Sequence, residues 1–202
     1  MAWIGNRMIL CKNSLPSDSL KTLYNSLIFP HISYGLEVWG AATSNKNFKR
    51  IVATQKKAIR TVTKSKWLSH TEPRMKTLGL LKITDQHHLQ CLSLVFDMTK
   101  GHCNDILGLR EKRNVDAMTY NLRSTSEQTD NLRLSLKSNP LSKSSFSEVA
   151  PRLWNETSLS IQNSSSRKEL KGKVRRMLLG SYGEKVSCVN PLCTDTRFHE
   201  LE

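Results

Sequence analysis

Lys46-Asn47-Phe48-Lys49-Arg50-Ile51-Val52-Ala53-Thr54-Gln55-Lys56-Lys57-Ala58-Ile59-Arg60-Thr61-Val62-Thr63-Lys64 is the most periodic stretch of the chain. At roughly 100° per residue, Phe48, Ile51, Val52, Gln55, Ile59 and Val62 fall within an arc of about 100°. Lys46, Lys49, Arg50, Lys56, Lys57, Arg60 and Lys64 fall within about 120° on the opposite side. A stripe of that period is an amphipathic helix, because a strand would alternate at every second residue. No acid stands among these cations, so pairing at i, i+4 does not account for them. Lys66, Arg74 and Lys76 extend the run, with Glu72 as the counter-charge.

The same helical period recurs on both sides of this stretch. Leu20, Leu23, Tyr24, Leu27 and Ile28 are spaced i, i+3, i+4, i+7, i+8, with Ser17 or Asp18 after Pro16 as the expected N-cap. Pro30 is expected to end or kink that helix, and His31 to Trp39 to resume it, with Gly35 admitting a close backbone. Ser69-His70-Thr71-Glu72 before Pro73 fits a capping box for a short helix ending near Gly79. Thr84 and Asp85 are expected to cap a third long helix, its stripe running through His88, Leu92, Val95, Phe96 and Thr99 to Gly101. Residues 110 to 143 are rich in Ser, Asn, Thr and Arg without sustained period, the composition of a flexible linker. Order is expected again from Phe146 to Ile161, anchored by Val149, Leu153, Trp154 and Ile161. Ser166-x-x-Glu169 then opens a basic helix with Leu170, Val174, Met177 and Leu178 on one face, closed by Gly180 and Gly183.

No alternation is long enough to build a sheet, so the expected class is all-α. The expected organisation is an N-terminal helical bundle over 1–107, a linker over 108–145, a small helical unit over 146–183 and a disordered tail over 184–202.

Lys and Arg total 31 against 17 acids, a formal +14 over 202 residues, which makes a polyanion the leading partner and nucleic acid the first candidate. The odd number of cysteines, 5 in all, is no disulfide framework and points to reduced thiols. No apolar run approaches the roughly 20 residues of a membrane span, so no membrane partner is expected. The segment from Met1 to Leu10 is broken by Trp3, Gly5, Asn6 and Arg7, unlike a signal peptide. The expected location is intracellular, cytoplasmic or nuclear.

Enzymatic signatures are missing. There is no G-x-S-x-G elbow and no G-x-x-x-x-G-K-[ST] phosphate loop. Cys188-x4-Cys193-x5-His199 offers three ligands at irregular spacing, with Asp195 a poor fourth, where a structural zinc wants four. His87 and His88, adjacent and so about 100° apart on a helix, cannot form an i, i+4 ligand pair. Tyr34, Trp39 and Trp154 sit in apolar runs and are expected as core anchors. Trp67, beside Lys64, Lys66 and His70, is the candidate for base stacking.

Several motifs in order carry a resemblance. Leu23-Tyr24-Asn25-Ser26-Leu27-Ile28-Phe29-Pro30-His31-Ile32-Ser33-Tyr34-Gly35-Leu36-Glu37-Val38-Trp39-Gly40 is similar to the LYxSLIxPxLxYGxxVWG stretch of non-LTR (LINE-like, jockey-type) retrotransposon reverse transcriptases. Gln55-Lys56-Lys57-Ala58-Ile59-Arg60 resembles the QKKAIR or QKRAIR element that follows there, and His70-Thr71 and Leu78-Gly79-Leu80-Leu81-Lys82-Ile83 come next in the same order. Tyr120-Asn121-Leu122-Arg123-Ser124 resembles YNxRS, and Ala150-Pro151-Arg152-Leu153-Trp154-Asn155 resembles GPxLWN with Ala150 in place of Gly. The likeness covers about residues 3 to 182.

That resemblance implies the thumb and C-terminal extension of an RNA-directed DNA polymerase, the basic helix gripping an RNA–DNA or DNA duplex without regard to sequence. Lys46, Lys49, Arg50, Lys56, Lys57, Arg60, Lys64, Lys66 and Trp67 are its candidate nucleic-acid contacts. The parent polymerase would use Mg held by clustered palm carboxylates. Here Asp18, Asp85, Asp97, Asp105, Asp116, Asp130 and Asp195 stand isolated. The palm and fingers would precede Met1, as if the chain were the downstream fragment of a truncated or decayed element. It is therefore expected to have no catalytic residue, cofactor or metal of its own and not to polymerise alone. A missing palm and fingers portion is a further possible partner. The alternative expectation is a helical protein–protein module, or a cellular protein descended from such an element.

Overall fold

The computed structural model describes residues 9–41, 43, 45–67, 69–104, 132 and 145–182. The expected tail and all but Leu132 and Ser145 of the expected linker lie outside these residues, as do Tyr120–Ser124, Gly183, Cys188, Cys193 and His199. The described residues are mostly helical, and none of their helices is long and apolar enough to cross a membrane.

Helix α1, Ser17–Leu23, begins one residue earlier than a Ser17 cap would require. Pro16 takes the extended N-cap position and no side chain caps the helix, so Asp18 serves as first-turn charge against the helix dipole. Pro30 neither ends nor sharply breaks the run. The chain widens into a π-helical turn, Tyr24–Ile28, and continues as α2, Phe29–Ser33. Proline has no N–H and its ring crowds the carbonyl four residues back, and the wider turn relieves both faults. Gly35 then breaks the helix at φ 60° before α3, Leu36–Trp39. A Cβ on Gly35 would meet nothing nearer than 3.7 Å, so it is the left-handed backbone that calls for glycine here, not a close neighbour. The close approach expected there is found at Gly40, where a Cβ would fall 2.5 Å from His87 Cδ2.

The basic amphipathic stretch forms α4, Asn45–Val62. Helix α5, Glu72–Leu78, ends in left-handed Gly79 as expected, but Thr71 stands at the N-cap with a helical backbone and makes no side-chain cap. The box read at Ser69 is out of register, and Glu72 pairs instead with Lys82. Helix α6, Ile83–Lys100, starts before Thr84 and Asp85 can cap it and ends in left-handed Gly101. After the gap come α7, Phe146–Asn155, α8, Leu159–Gln162, and α9, Arg167–Gly180. The Ser166 hydroxyl accepts the Glu169 N–H at 3.2 Å, as the cap motif requires. Glu169 returns to the Ser165 N–H and hydroxyl, and these bonds with Lys173 hold its carboxyl down at about 2.

Helices α7 and α9 pack directly on α6. One apolar core therefore joins Leu20, Tyr24, Ile59 and Val62 to Leu92, Phe96, Val149, Trp154, Leu170 and Val174. A smaller cluster of Ile32, Leu36, Phe48 and Ile83 fills the space beside α2 and α3. The segments expected as separate N- and C-terminal units thus share an interior. Leu132, within the expected linker, is buried too. Its N–H and C=O bond to the Asn155 amide at 2.8 and 2.9 Å, as a neighbouring strand would bond them.

Two expected core faces differ. Met177 of α9 is 50% exposed, leaving Leu170 and Val174 as its buried positions. Helix α6 buries far more than one stripe, including His87, Cys91, Ser93, Asp97 and Met98. It is the post around which other helices stand.

Candidate nucleic-acid interface

The apolar arc of α4 faces inward as its period requires. Phe48, Gln55, Ala58, Ile59, Thr61 and Val62 are buried, with Ile51 and Val52 half-buried. Gln55 is the polar member of that arc and is fully satisfied. Its Nε2 donates to the Tyr24 hydroxyl at 3.1 Å and the Leu81 carbonyl at 2.9 Å, while Oε1 accepts the Ile83 N–H at 3.0 Å. This network fixes the rotation of α4 about its own axis, and the opposite side is thereby turned outward.

On that side Lys46, Arg50, Lys64 and Lys66 are exposed, and Lys49, Lys56, Lys57 and Arg60 are half-buried. Among the described residues no hydrogen bond or ion pair engages the side chains of Lys46, Lys49, Arg50, Lys56, Lys64 or Lys66. Arg60 is different. Its Nε donates to the Ser69 carbonyl at 3.0 Å, so it ties the loop after α4 to the helix. Lys57 reaches toward the indole of Trp67, Nζ lying 6.0 Å from the ring centroid. Trp67 itself is 66% exposed. Lys57, Arg60, Lys64, Lys66 and Trp67 therefore gather at the C-terminal end of α4, and Lys46, Lys49 and Arg50 form a second group at its start. Helix α4, Asn45–Val62, is about 27 Å long, comparable to roughly eight nucleotide steps along one strand of a duplex.

Of the three aromatics expected in the core, Trp154 is buried, Trp39 is half-buried with Nε1 donating to the Tyr34 carbonyl at 2.7 Å, and Tyr34 is 85% exposed. An apolar neighbourhood in sequence does not bring Tyr34 inward, because it stands just past the end of α2 in extended backbone, at φ -66° and ψ 121°. Val38, in α3, is 67% exposed.

A cluster with no signature in the local sequence lies where α5, α6 and the end of α9 meet. The Tyr182 hydroxyl donates to the Asp85 carboxylate and accepts the Lys82 N–H at 2.8 Å. Lys82 Nζ sits 4.9 Å above the Tyr182 ring and pairs with Glu72. Burial pushes the Asp85 carboxyl up, opposed by Tyr182 and Lys82, and pushes the Tyr182 hydroxyl up in turn. Lys76 of α5 donates to the Tyr182 carbonyl at 3.0 Å, and Arg175 of α9 donates to the Gly79 carbonyl. Each of these two helices thus sends a cation to carbonyls at or just past the other's C-terminal end, where the helix dipole favours it. The cluster is a clamp on the chain's last described turn. His87 and His88 are buried, and burial lowers both to about 4, with His88 adding to the effect on His87. Among the described residues no group of His, Cys, Asp or Glu is placed to hold a metal ion.

No protein-family model, no curated protein and no solved structure matches the chain.

Proposed function

We propose that the chain binds nucleic acid through the outward side of α4, sequence-independently, as the thumb-like part of an RNA-directed DNA polymerase of the non-LTR retrotransposon kind. The observation that carries this reading is that Lys46, Lys49, Arg50, Lys56 and Lys64 stand on that side without carboxylate partners among the described residues, held outward by the buried Gln55 network. Unpaired Lys and Arg along a rigid rod fit phosphates, whose contacts give affinity that falls with salt. The order of the resembling motifs supports the polymerase parentage. Chemistry would fall to palm carboxylates and Mg outside these 202 residues.

Fluorescence-anisotropy titration against an RNA–DNA hybrid at two salt concentrations tests the reading. Expected is binding that weakens steeply with salt. Absent binding at low salt, or salt-insensitive binding, overturns it. Because Arg60 and Lys57 have structural contacts, the informative variant is Lys46→Glu with Arg50→Glu and Lys64→Glu. It should flatten the salt slope by about three contacts on every sequence.

A second reading, a helical protein–protein module, is favoured by the exposed apolar side chains of Tyr34 and Val38. In the polymerase reading the same pair would meet the palm and fingers portion. A pull-down returning a specific protein, lost on Tyr34→Ser with Val38→Ser and accompanied by no nucleic acid, would favour the module.

A further inference from the structure

Between α4 and α5, the described residues Thr63, Ser65 and Ser69 spend their hydrogen bonds on the backbone and side chains around them. The Ser65 N–H donates to the Arg60 carbonyl at 3.0 Å and the Ser69 N–H to the Lys66 carbonyl at 3.1 Å. Lys12 Nζ donates to the Ser65 carbonyl at 3.1 Å, Thr63 and Ser65 hydroxyls lie 3.0 Å apart, and Arg60 holds the Ser69 carbonyl. Lys64 adopts φ 51°, the left-handed conformation that a lysine takes only where its surroundings enforce it. Trp67, between these bonded residues, presents its indole to solvent, with Lys57 toward one face and the side chains of Lys64 and Lys66 exposed nearby.

A large apolar ring held outward between hydrogen-bonded neighbours is ready to bind something flat at little further cost in order. The cations around it say that the flat group comes with negative charge. We infer that Trp67 is a stacking platform for an unpaired nucleobase, with Lys64 and Lys66 taking the phosphates on either side. The inference rests on the reading of α4 as a nucleic-acid interface and deepens it. Bases inside a duplex are covered by their neighbours, so the platform serves a single strand, and its position at the end of the basic run suits a junction where duplex gives way to single strand.

The test uses the full chain and two hybrids of the same duplex sequence, one blunt and one with a short single-stranded overhang. The overhang should tighten binding by about tenfold, a typical stacking increment. Trp67→Ala should bring the ratio of the two affinities to about one, and Trp67→Phe should restore most of it. Stacking releases no counterions, so the effect appears in that ratio, whereas Lys64→Gln with Lys66→Gln lowers the salt slope. Equal binding of both hybrids by the parent, or an overhang preference that survives Trp67→Ala, overturns the stacking site while leaving the α4 interface standing. Failure of both hybrids to bind at low salt overturns the interface and the site together. Tryptophan among lysines also suits an anionic bilayer, so phosphatidylserine vesicles are the control. Capture by them with the same Trp67 dependence and no overhang preference would overturn the nucleobase assignment.

Discussion

Helices α4 and α6 are equal in length, 18 residues each, and opposite in use. Helix α4 divides its surface sharply, core on one side and a row of cations with no acid among them on the other. Helix α6 is buried nearly all round and carries His87, His88, Ser93 and Asp97 into the interior along with its aliphatic residues. Each polar group there is handled separately: the Ser93 hydroxyl donates to the Leu89 carbonyl at 2.6 Å, Asp97 pairs with Arg167, and the histidines stay neutral. A helix at the edge of a fold can leave charge in water, whereas one at the centre must neutralise or pair it. Stability should therefore reside in α6 and binding in α4.

The largest effect is expected where α6 is most enclosed. Phe96 is fully buried, and Phe96→Ala should cost about 3–5 kcal/mol in denaturant unfolding, the range for emptying an aromatic site. A cost below about 1 kcal/mol would remove α6 from the centre of the fold.

Acid should reveal the same helix next. His87 and His88 stay neutral in the folded chain down to about 4, whereas the unfolded chain protonates them near 6.5. The unfolded state then binds more protons, so stability is full above pH 6.5, is lost as pH falls toward 4, and levels off below. Each histidine can account for up to about 3 kcal/mol across that window. Asp85, whose carboxyl is raised by burial, works in the opposite sense and reduces the net loss. Urea midpoints from pH 7.5 to 4 measure the balance, and replacing both histidines by Gln should flatten the curve. A flat parental curve would mean that the imidazoles are solvated.

Gln55 tests the join between the two helices. Gln55→Ala leaves the Ile83 N–H and Leu81 carbonyl without their partner, and about 2 kcal/mol of destabilisation is expected. Smallest is the effect of the Lys46, Arg50 and Lys64 reversal on folding. It should lie within about 0.5 kcal/mol, because solvated positions without partners contribute little. A large loss of stability there would make the cations structural and break the division of labour between the helices.

Much of this was legible in residue order. The inward arc of α4 follows from its period, and Gly79 and Gly101 close α5 and α6 in the left-handed conformation that glycine tolerates best. The Ser166–Glu169 cap was equally local. Misreadings cluster where a local rule meets a distant neighbour. Tyr34 turned outward because α2 ends at Ser33 and the chain at Tyr34 is already extended. The caps sought at Ser69 and Thr84 gave way because Thr71 and Lys82 take the N-cap positions of α5 and α6. Tyr182 showed no motif because its partners, Asp85 and Lys82, lie far along the chain.

The sequence by itself determined which segments become helices, which side of α4 is apolar, and that its other side carries cations without acids. Periodicity is a property of neighbours along the chain, so it survives without any knowledge of the fold. Tertiary structure alone decided that α6 stands at the centre, because α7 and α9 must arrive from the far end of the chain to cover it. It likewise decided which cations remain available for a partner. Arg60, Lys76 and Arg175 are given over to backbone carbonyls on neighbouring segments, while Lys46, Arg50, Lys64 and Lys66 are left to water. A charge is free only when no acceptor is folded against it, and that depends on where the rest of the chain comes to lie.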